Sequence, residues 1–121
     1  MGVFSFYVLL FEIKMILNEE HYSLFVNAIN EKKKIKMLKR DKEWNIVEKY
    51  YIPWDFTIWR KSKERVEKYR NYNIEDKHTS STKQEDVCDI ILLDETFNPA
   101  DYIDWDGPYD WAIKRDWGIY S

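Results

Sequence analysis

The 121-residue sequence contains one cysteine, Cys88, and only three glycines. A single cysteine cannot form an intramolecular disulfide, so nothing indicates an oxidising compartment and we expect a cytoplasmic protein. The glycines do not form the GxxxxGK or GxGxxG patterns that hold phosphates through the backbone. The two histidines, His21 and His78, are far apart, and one cysteine offers no zinc-ligand spacing. We therefore expect no metal ion and no cofactor.

Long apolar runs are missing as well. The stretch from Val3 to Phe11 is apolar apart from Ser5, but it is much shorter than the roughly 20 residues that a membrane-spanning helix needs. It also lacks the basic start and the cleavage site of a signal peptide. We therefore expect no membrane interaction. Two interpretations of residues 1–14 stay open: a strand that joins a sheet, or an over-long gene start, since Met15 stands just before a helix onset.

Aromatic residues, by contrast, are abundant. They make up 17% of the chain, with six Trp and nine Tyr, which is more than packing alone requires. Either the core is rich in rings, or some of them face a ligand. A chain of 121 residues has room for one domain with a single core.

Charge is divided unevenly along the chain. Residues 1–83 carry 17 basic and 12 acidic side chains, whereas residues 84–121 carry 2 basic and 10 acidic ones. The first part therefore favours anionic partners, and the second part repels them. In the alternative interpretation, the two parts attract each other within the fold.

The apolar pattern predicts one helix and about five strands. Apolar residues recur every three or four positions from Tyr22 to Ile29, and Asn18 suits a helix start, which predicts a helix over residues 19–31. After it the pattern changes to alternation, with polar turns between the strands. We therefore predict an α+β fold, in which the helix packs on a small antiparallel sheet or a partly open β-barrel.

Three segments give more local predictions. In "WDFTIW", alternation places Trp54 and Phe56 on one face of a strand and Asp55 on the other. Residues 75–86 contain no apolar side chain, which predicts a mobile polar loop. Residues 98–121 form an acidic, Trp-rich tail.

Carboxylates are frequent near the C-terminus, but they match no metal motif. The acidic residues from Asp89 to Asp106 lack the spacing, the central glycine and the closing glutamate of a calcium loop. A magnesium-dependent nuclease of the PD-(D/E)xK kind is a weaker alternative, in which Asp55, Glu75 and Lys77 would act together. Because an ExK string arises easily in a chain rich in Lys and Glu, we expect no catalytic residues and a protein that is not an enzyme.

Basic and aromatic residues are interleaved along the predicted strands. Cations neutralise phosphates and exposed rings stack on bases, so this mixture suits a single-stranded nucleic acid or a nucleotide. The alternative is a solvated face along which lysine side chains lie. The residues that we expect to bind the ligand are Lys36, Trp59, Arg60, Arg70 and Tyr72.

The acidic tail suggests a different function. Trp105, Trp111 and Trp117 stand among carboxylates, and tryptophans with charged surroundings are good anchors at protein interfaces. In this alternative hypothesis, the tail binds a basic protein partner or folds across the positive face of its own chain.

Four strings between Leu24 and Tyr102 resemble the WYL-domain family: "LFVNAINEKKKIKM", "YYIPWDF", "YRNYNIED" and "DIILLDETFNPADY". The resemblance implies an SH3-like or Sm-like β-barrel with a helix. It also implies that the domain senses nucleic-acid or nucleotide ligands, as in prokaryotic transcription regulators and phage-defence systems. Arg70 and Tyr72 lie near matching positions, whereas residues 84–89 replace the arginine-rich segment of the family and the Trp-Tyr-Leu string is absent. We therefore predict a WYL-like, non-enzymatic regulatory module.

Overall fold

The computed structural model describes residues 19–58 and 67–121. Within these ranges a helix, α1 (residues 19–31), is followed by the strands β1 (Lys33–Arg40), β2 (Ile46–Ile58), β3 (Glu67–Asn73), β4 (His78–Lys83) and β5 (Val87–Thr96). Short 3-10 turns follow at Gln84–Asp86, Pro99–Asp101 and Gly118–Tyr120. The predicted helix over residues 19–31 is confirmed, whereas Asn18 and residues 1–14 lie outside the described residues. No helix in the described ranges is long and apolar enough to cross a membrane.

The strands form one antiparallel sheet in the order β4-β3-β2-β1-β5, and α1 packs on it, which confirms the predicted α+β class. The sheet is strongly curled but not closed. Lys39 of β1 donates a hydrogen bond to Thr82 of β4 at 3.3 Å, although β2 and β3 lie between these strands. In a flat sheet, three strand spacings would separate them by about 14 Å.

Alternation along the strands gives the sheet two faces. The inner face carries the fully buried side chains of Ile35, Met37 and Tyr69. Helix α1 covers this face, because the ring of Phe25 lies 4.9 Å from that of Tyr69 and 5.5 Å from that of Phe56.

A β-bulge at Trp54 interrupts the alternation in β2. Pro53 pairs with Asn71, and Asp55 pairs with Arg70, so β2 has one residue more than β3 between these pairs. A proline cannot donate to the ladder and is tolerated at such a bulge. Trp54 and Asp55 together therefore oppose Arg70 on the outer face, and the prediction that Trp54 shares a face with Phe56 is wrong.

The predicted polar loop over residues 75–86 is wrong for half of its length. Residues 78–83 form β4, which pairs with β3 from His78 opposite Asn73 to Lys83 opposite Lys68. An edge strand needs little apolar burial, because backbone hydrogen bonds to its neighbour and the buried Thr82 hold it in place. The edge position of β4 explains its lack of apolar residues, and residues 74–77 form the turn before it.

The C-terminal segment, residues 97–121, packs against the sheet instead of extending from it. It contributes Phe97, Ile103, Trp111, Ile113 and Trp117 to the hydrophobic core. The ring of Trp111 lies 5.6 Å and that of Trp117 6.1 Å from the ring of Trp54, and the indole nitrogen of Trp117 donates to the carbonyl of Ile29 in α1. The acidic tail is therefore a structural part of the domain.

Candidate functional site

The outer face of β3 carries two of the predicted ligand-binding residues, Arg70 and Tyr72. The ring of Tyr72 is half-buried, at 6.4 Å from Trp54 and 5.0 Å from Tyr102, so it belongs to the packing. Arg70 lines a cleft beside the C-terminal segment. Trp59 and Arg60 lie outside the described residues.

The structure does not bring Lys36 to Arg70. Lys36 pairs with Tyr50 of β2, and Arg70 pairs with Asp55, which is about 16 Å farther along the strand at 3.3 Å per residue. The Nζ atom of Lys36 instead lies 3.1 Å from Oε1 of Glu48. This hydrogen bond, together with the charge attraction, raises the pKa of Lys36 and lowers that of Glu48.

A basic cleft of about 400 Å³ lies where the end of β1 approaches β3 and β4. The curl of the sheet creates it, because β1 and β4 are not neighbours in the ladder. Five basic side chains and two carboxylates line this basic cleft. The lining side chains are Lys39, Arg40, Asp41, Lys42, Lys68, Ser81, Lys83 and Asp86.

The positive charge of the basic cleft is only partly compensated. Lys39 lies 5.9 Å from the ring centre of Tyr51 in addition to its hydrogen bond with Thr82. One oxygen of Asp41 accepts the backbone N–H groups of residues 43 and 45, so this carboxylate organises the β1–β2 turn. Lys42 and Lys83 are exposed and form no ion pair with any described residue.

Trp44 is an exposed aromatic ring that contacts Arg40, one of the residues of the basic cleft. Its side chain is 73% exposed, and the guanidinium of Arg40, which lines the cleft, lies 5.0 Å from its ring centre. The φ angle of Trp44 is +66°, a left-handed conformation that residues other than glycine rarely adopt. The sequence offered a signal for this residue, because a tryptophan in the polar string "DKEWN" is expected to be exposed.

A second, aromatic cleft of about 330 Å³ lies between β3 and the C-terminal segment. The side chains around it are Trp54, Asp55, Arg70, Thr79, Trp105, Pro108, Tyr109, Asp110 and Trp111. Arg70 pairs across the strands with Ser81, which lines the basic cleft. The aromatic cleft and the basic cleft therefore follow one another along the outer face of β3 and β4.

Two contacts shape the wall of the aromatic cleft. The hydroxyl of Tyr109 donates to the carbonyl of Trp105, and desolvation raises the pKa of Tyr109, which keeps this donor protonated. The ring of Tyr109 stacks on that of Trp111 at 5.7 Å and 11°. These contacts hold Trp105, which is 45% exposed, at the rim.

A buried ion pair fastens the C-terminal segment behind the aromatic cleft. The carboxylate of Asp55 accepts backbone N–H groups from Ala112 at 3.0 Å and Ile113 at 2.9 Å, and lies 3.4 Å from the guanidinium of Arg115. That guanidinium also donates to the carbonyl of Trp54 at 2.6 Å. Desolvation lowers the pKa of Arg115 to about 10, against the opposing effect of Asp55, so the guanidinium remains charged at neutral pH.

The residues of the nuclease alternative do not come together. The carboxylate of Asp55 is occupied by its own C-terminal segment. Glu75 and Lys77 lie in the β3–β4 turn, whereas Asp55 pairs with Arg70, about 16 Å before Glu75 at 3.3 Å per residue. Across the two described ranges, no group of three or more His, Cys, Asp or Glu side chains could hold a metal ion.

Two of the three tryptophans predicted to bind a protein partner serve the core instead. Trp111 is 9% exposed and Trp117 is 3% exposed, so a partner could reach them only if the C-terminal segment detached. Trp105 is the exposed member of the three, and it lines the aromatic cleft.

Comparison with known proteins supports the fold. No protein-family model matches the sequence, and no curated protein matches it. The structure is similar to part of the proteasome accessory factor B/C (PafBC) of Arthrobacter aurescens, with a TM-score of 0.60 and 11% sequence identity. The match covers 75% of this chain and 14% of PafBC. PafBC contains a WYL domain, so the likeness supports a WYL-like fold, and at this identity it concerns the fold alone.

Proposed function

We propose that this domain is a non-enzymatic regulatory module, WYL-like in fold, that binds single-stranded nucleic acid through the basic cleft in the cytoplasm of a prokaryote. The observation that carries the proposal is the pair of exposed lysines, Lys42 and Lys83, which have no anionic partner among the described residues. They line the same cleft as Arg40, whose guanidinium lies against the exposed ring of Trp44. The regulatory role of the structural neighbour PafBC is consistent with a role in transcription or phage defence.

The lysines and the ring of Trp44 have separate roles in the proposed binding of nucleic acid. Lysines that neutralise phosphates release counterions, which gives binding that weakens as salt rises. An exposed aromatic ring stacks on any base, and each such stack contributes about 1–3 kcal/mol. Arg40 lies against the ring of Trp44, so a base on this ring would place its phosphate near the cations of the basic cleft.

The test is a titration of a labelled single-stranded oligonucleotide of about 12 nucleotides, at several salt concentrations. With three phosphates neutralised, the logarithm of the affinity falls against the logarithm of the salt concentration with a slope of about −2. The charge-reversed variants Lys42→Glu and Lys83→Glu each weaken binding and lower the slope by about 1. In the presence of Mg²⁺ the oligonucleotide stays intact, because the domain is not a nuclease.

A matched control is Lys114→Glu, which reverses the charge of an exposed lysine on the C-terminal segment that lines neither cleft. We expect it to bind as the unchanged protein does. The proposal fails if no binding occurs at low salt, if binding is insensitive to salt, or if all three variants lose the same affinity.

A further inference from the structure

Arg70 occupies an unusual position in the aromatic cleft. Its side chain is half-buried, and it forms no ion pair or hydrogen bond with any described residue. Its cross-strand partner on one side, Asp55, is already bound to Arg115 and to two backbone N–H groups. A guanidinium that has no partner among the described residues and lines a cleft is suited to a phosphate.

The remainder of the aromatic cleft is suited to a flat ring. The ring centre of Trp105, which is 45% exposed, lies 5.9 Å from that of Trp54 and 6.1 Å from that of Tyr109, and all three rings line the cleft. The volume of about 330 Å³ is within the range of small-molecule sites. Any of the four bases can stack on such a ring, so this contact does not depend on the nucleotide sequence.

Asp110 indicates which part of a nucleotide enters the aromatic cleft. This exposed carboxylate of the C-terminal segment lines the cleft, and it would repel a phosphate that entered. A carboxylate instead accepts hydrogen bonds from the amino group of a base. The charges therefore favour a phosphate at Arg70 and a base between Arg70 and Asp110.

From these three features we infer that the aromatic cleft holds one base of the nucleic-acid strand whose phosphates lie in the basic cleft. The strand runs along the outer face of β3 and β4, past Arg70 opposite Ser81 and Lys68 opposite Lys83. The C-terminal segment, through Trp105 and Tyr109, is then part of the ligand site. This inference rests on the proposed function, and it adds a base-binding subsite next to the basic cleft.

The test compares a normal oligonucleotide with an abasic one of the same length, which has the phosphates but no bases. We expect the unchanged protein to bind the normal strand about tenfold more tightly. Trp105→Ala lowers affinity for the normal strand about fivefold or more and leaves affinity for the abasic strand unchanged. Arg70→Gln, which removes a charge without removing a ring, weakens the binding of both oligonucleotides. Tyr50→Ala removes another exposed ring, on the outer face of β2, and leaves the affinity for both oligonucleotides unchanged.

The outcomes separate the two ideas. If neither strand binds, the proposed function fails and this inference fails with it. If both strands bind through Lys42 and Lys83 but Trp105→Ala has no selective effect on the normal strand, the proposed function stands and the base-binding subsite is wrong. The base-binding subsite would also be wrong if the tighter binding of the normal strand over the abasic strand depended on Trp44 alone. Circular dichroism of each variant verifies the fold, and the abasic comparison needs no variant.

Discussion

Arg115 is the residue on which attachment of the C-terminal segment depends. Its side chain is 0% exposed, and its guanidinium lies 3.8 Å from the ring centre of Trp111 and 4.4 Å from that of Trp117. The planar group can stack on both rings while its edge donates to the carbonyl of Trp54 and pairs with Asp55. A buried charge is tolerated only with partners of this quality.

Replacing Arg115 by alanine should lower the free energy of unfolding by about 3–5 kcal/mol, because it leaves the buried carboxylate of Asp55 without its cation. Arg115→Lys should be intermediate, since an ammonium group keeps the charge but lacks the planar fork and the stacking. Urea unfolding measures both. The neighbouring exposed Lys114→Ala should change stability by less than about 0.5 kcal/mol. An equally small effect of Arg115→Ala would show that the ion pair does not hold the segment.

Asp110 is a single residue that should determine which bases the aromatic cleft prefers. If its carboxylate accepts a hydrogen bond from a base, cytosine, which has an amino group, should bind better than thymine, which presents an acceptor there. We expect oligo-dC to bind several-fold more tightly than oligo-dT, as one such hydrogen bond is worth about 1 kcal/mol. Asp110→Ala should reduce this difference, while Asp116→Ala, at an exposed carboxylate outside both clefts, should preserve it. Unchanged discrimination in Asp110→Ala would assign the preference to another group.

Among the elements, the β1–β2 turn combines strain with exposure. Asp41 closes it through hydrogen bonds from residues 43, 44 and 45, and Trp44 has a positive φ at a site where glycine or asparagine would be less strained. Backbone strain is often concentrated at functional sites, which agrees with a binding role for the exposed ring.

We expect Trp44→Asn to leave the free energy of unfolding unchanged or to raise it by up to about 1 kcal/mol, because asparagine tolerates the left-handed conformation. The same variant should bind the normal oligonucleotide about tenfold more weakly, since it removes a stacking ring. Chemical unfolding and titration on one sample test both parts. Ile46→Thr, at an exposed position after the turn, serves as a control. A large loss of stability in Trp44→Asn would mean that the ring is needed for the fold.

At the scale of the whole molecule, the acidic part of the chain completes the core without closing the basic cleft. Within residues 19–58 and 67–121, two ion pairs join the parts, Lys34 with Glu95 and Asp55 with Arg115. Among residues 84–121, only Asp86 lines the basic cleft. The uneven charge along the chain is therefore compatible with both interpretations: the parts contact each other, and the first part keeps an exposed positive surface.

Ending the chain after Tyr102 should unfold the domain. The truncation removes four buried apolar side chains, Ile103, Trp111, Ile113 and Trp117, each worth roughly 1.5–3 kcal/mol of burial. A typical domain has about 5–15 kcal/mol of stability in total. Near-ultraviolet circular dichroism and binding of a hydrophobic dye would detect the loss of packing. A full-length control with Asp101, Asp104 and Asp106 changed to Asn should stay folded. Cooperative unfolding of the truncated chain would show that the segment is dispensable.

The sequence alone determined the features that depend on residues close together in the chain. The helix over residues 19–31 follows from a 3.6-residue apolar period, and the α+β class follows from the alternating segments after it. For the candidate site, the sequence pointed to Arg70 as an anion-binding residue, and the structure leaves Arg70 without a partner among the described residues.

Only the tertiary structure decided what depends on residues distant in the sequence. The polar β4 is a strand because β3 pairs with it, and Trp54 leaves the face of Phe56 because a bulge inserts one residue. The curl of the sheet brings β1 to β4 and so creates the basic cleft. Alternation and composition carry no information on pairing partners or curvature, because both arise from backbone hydrogen bonds and packing across the whole sheet.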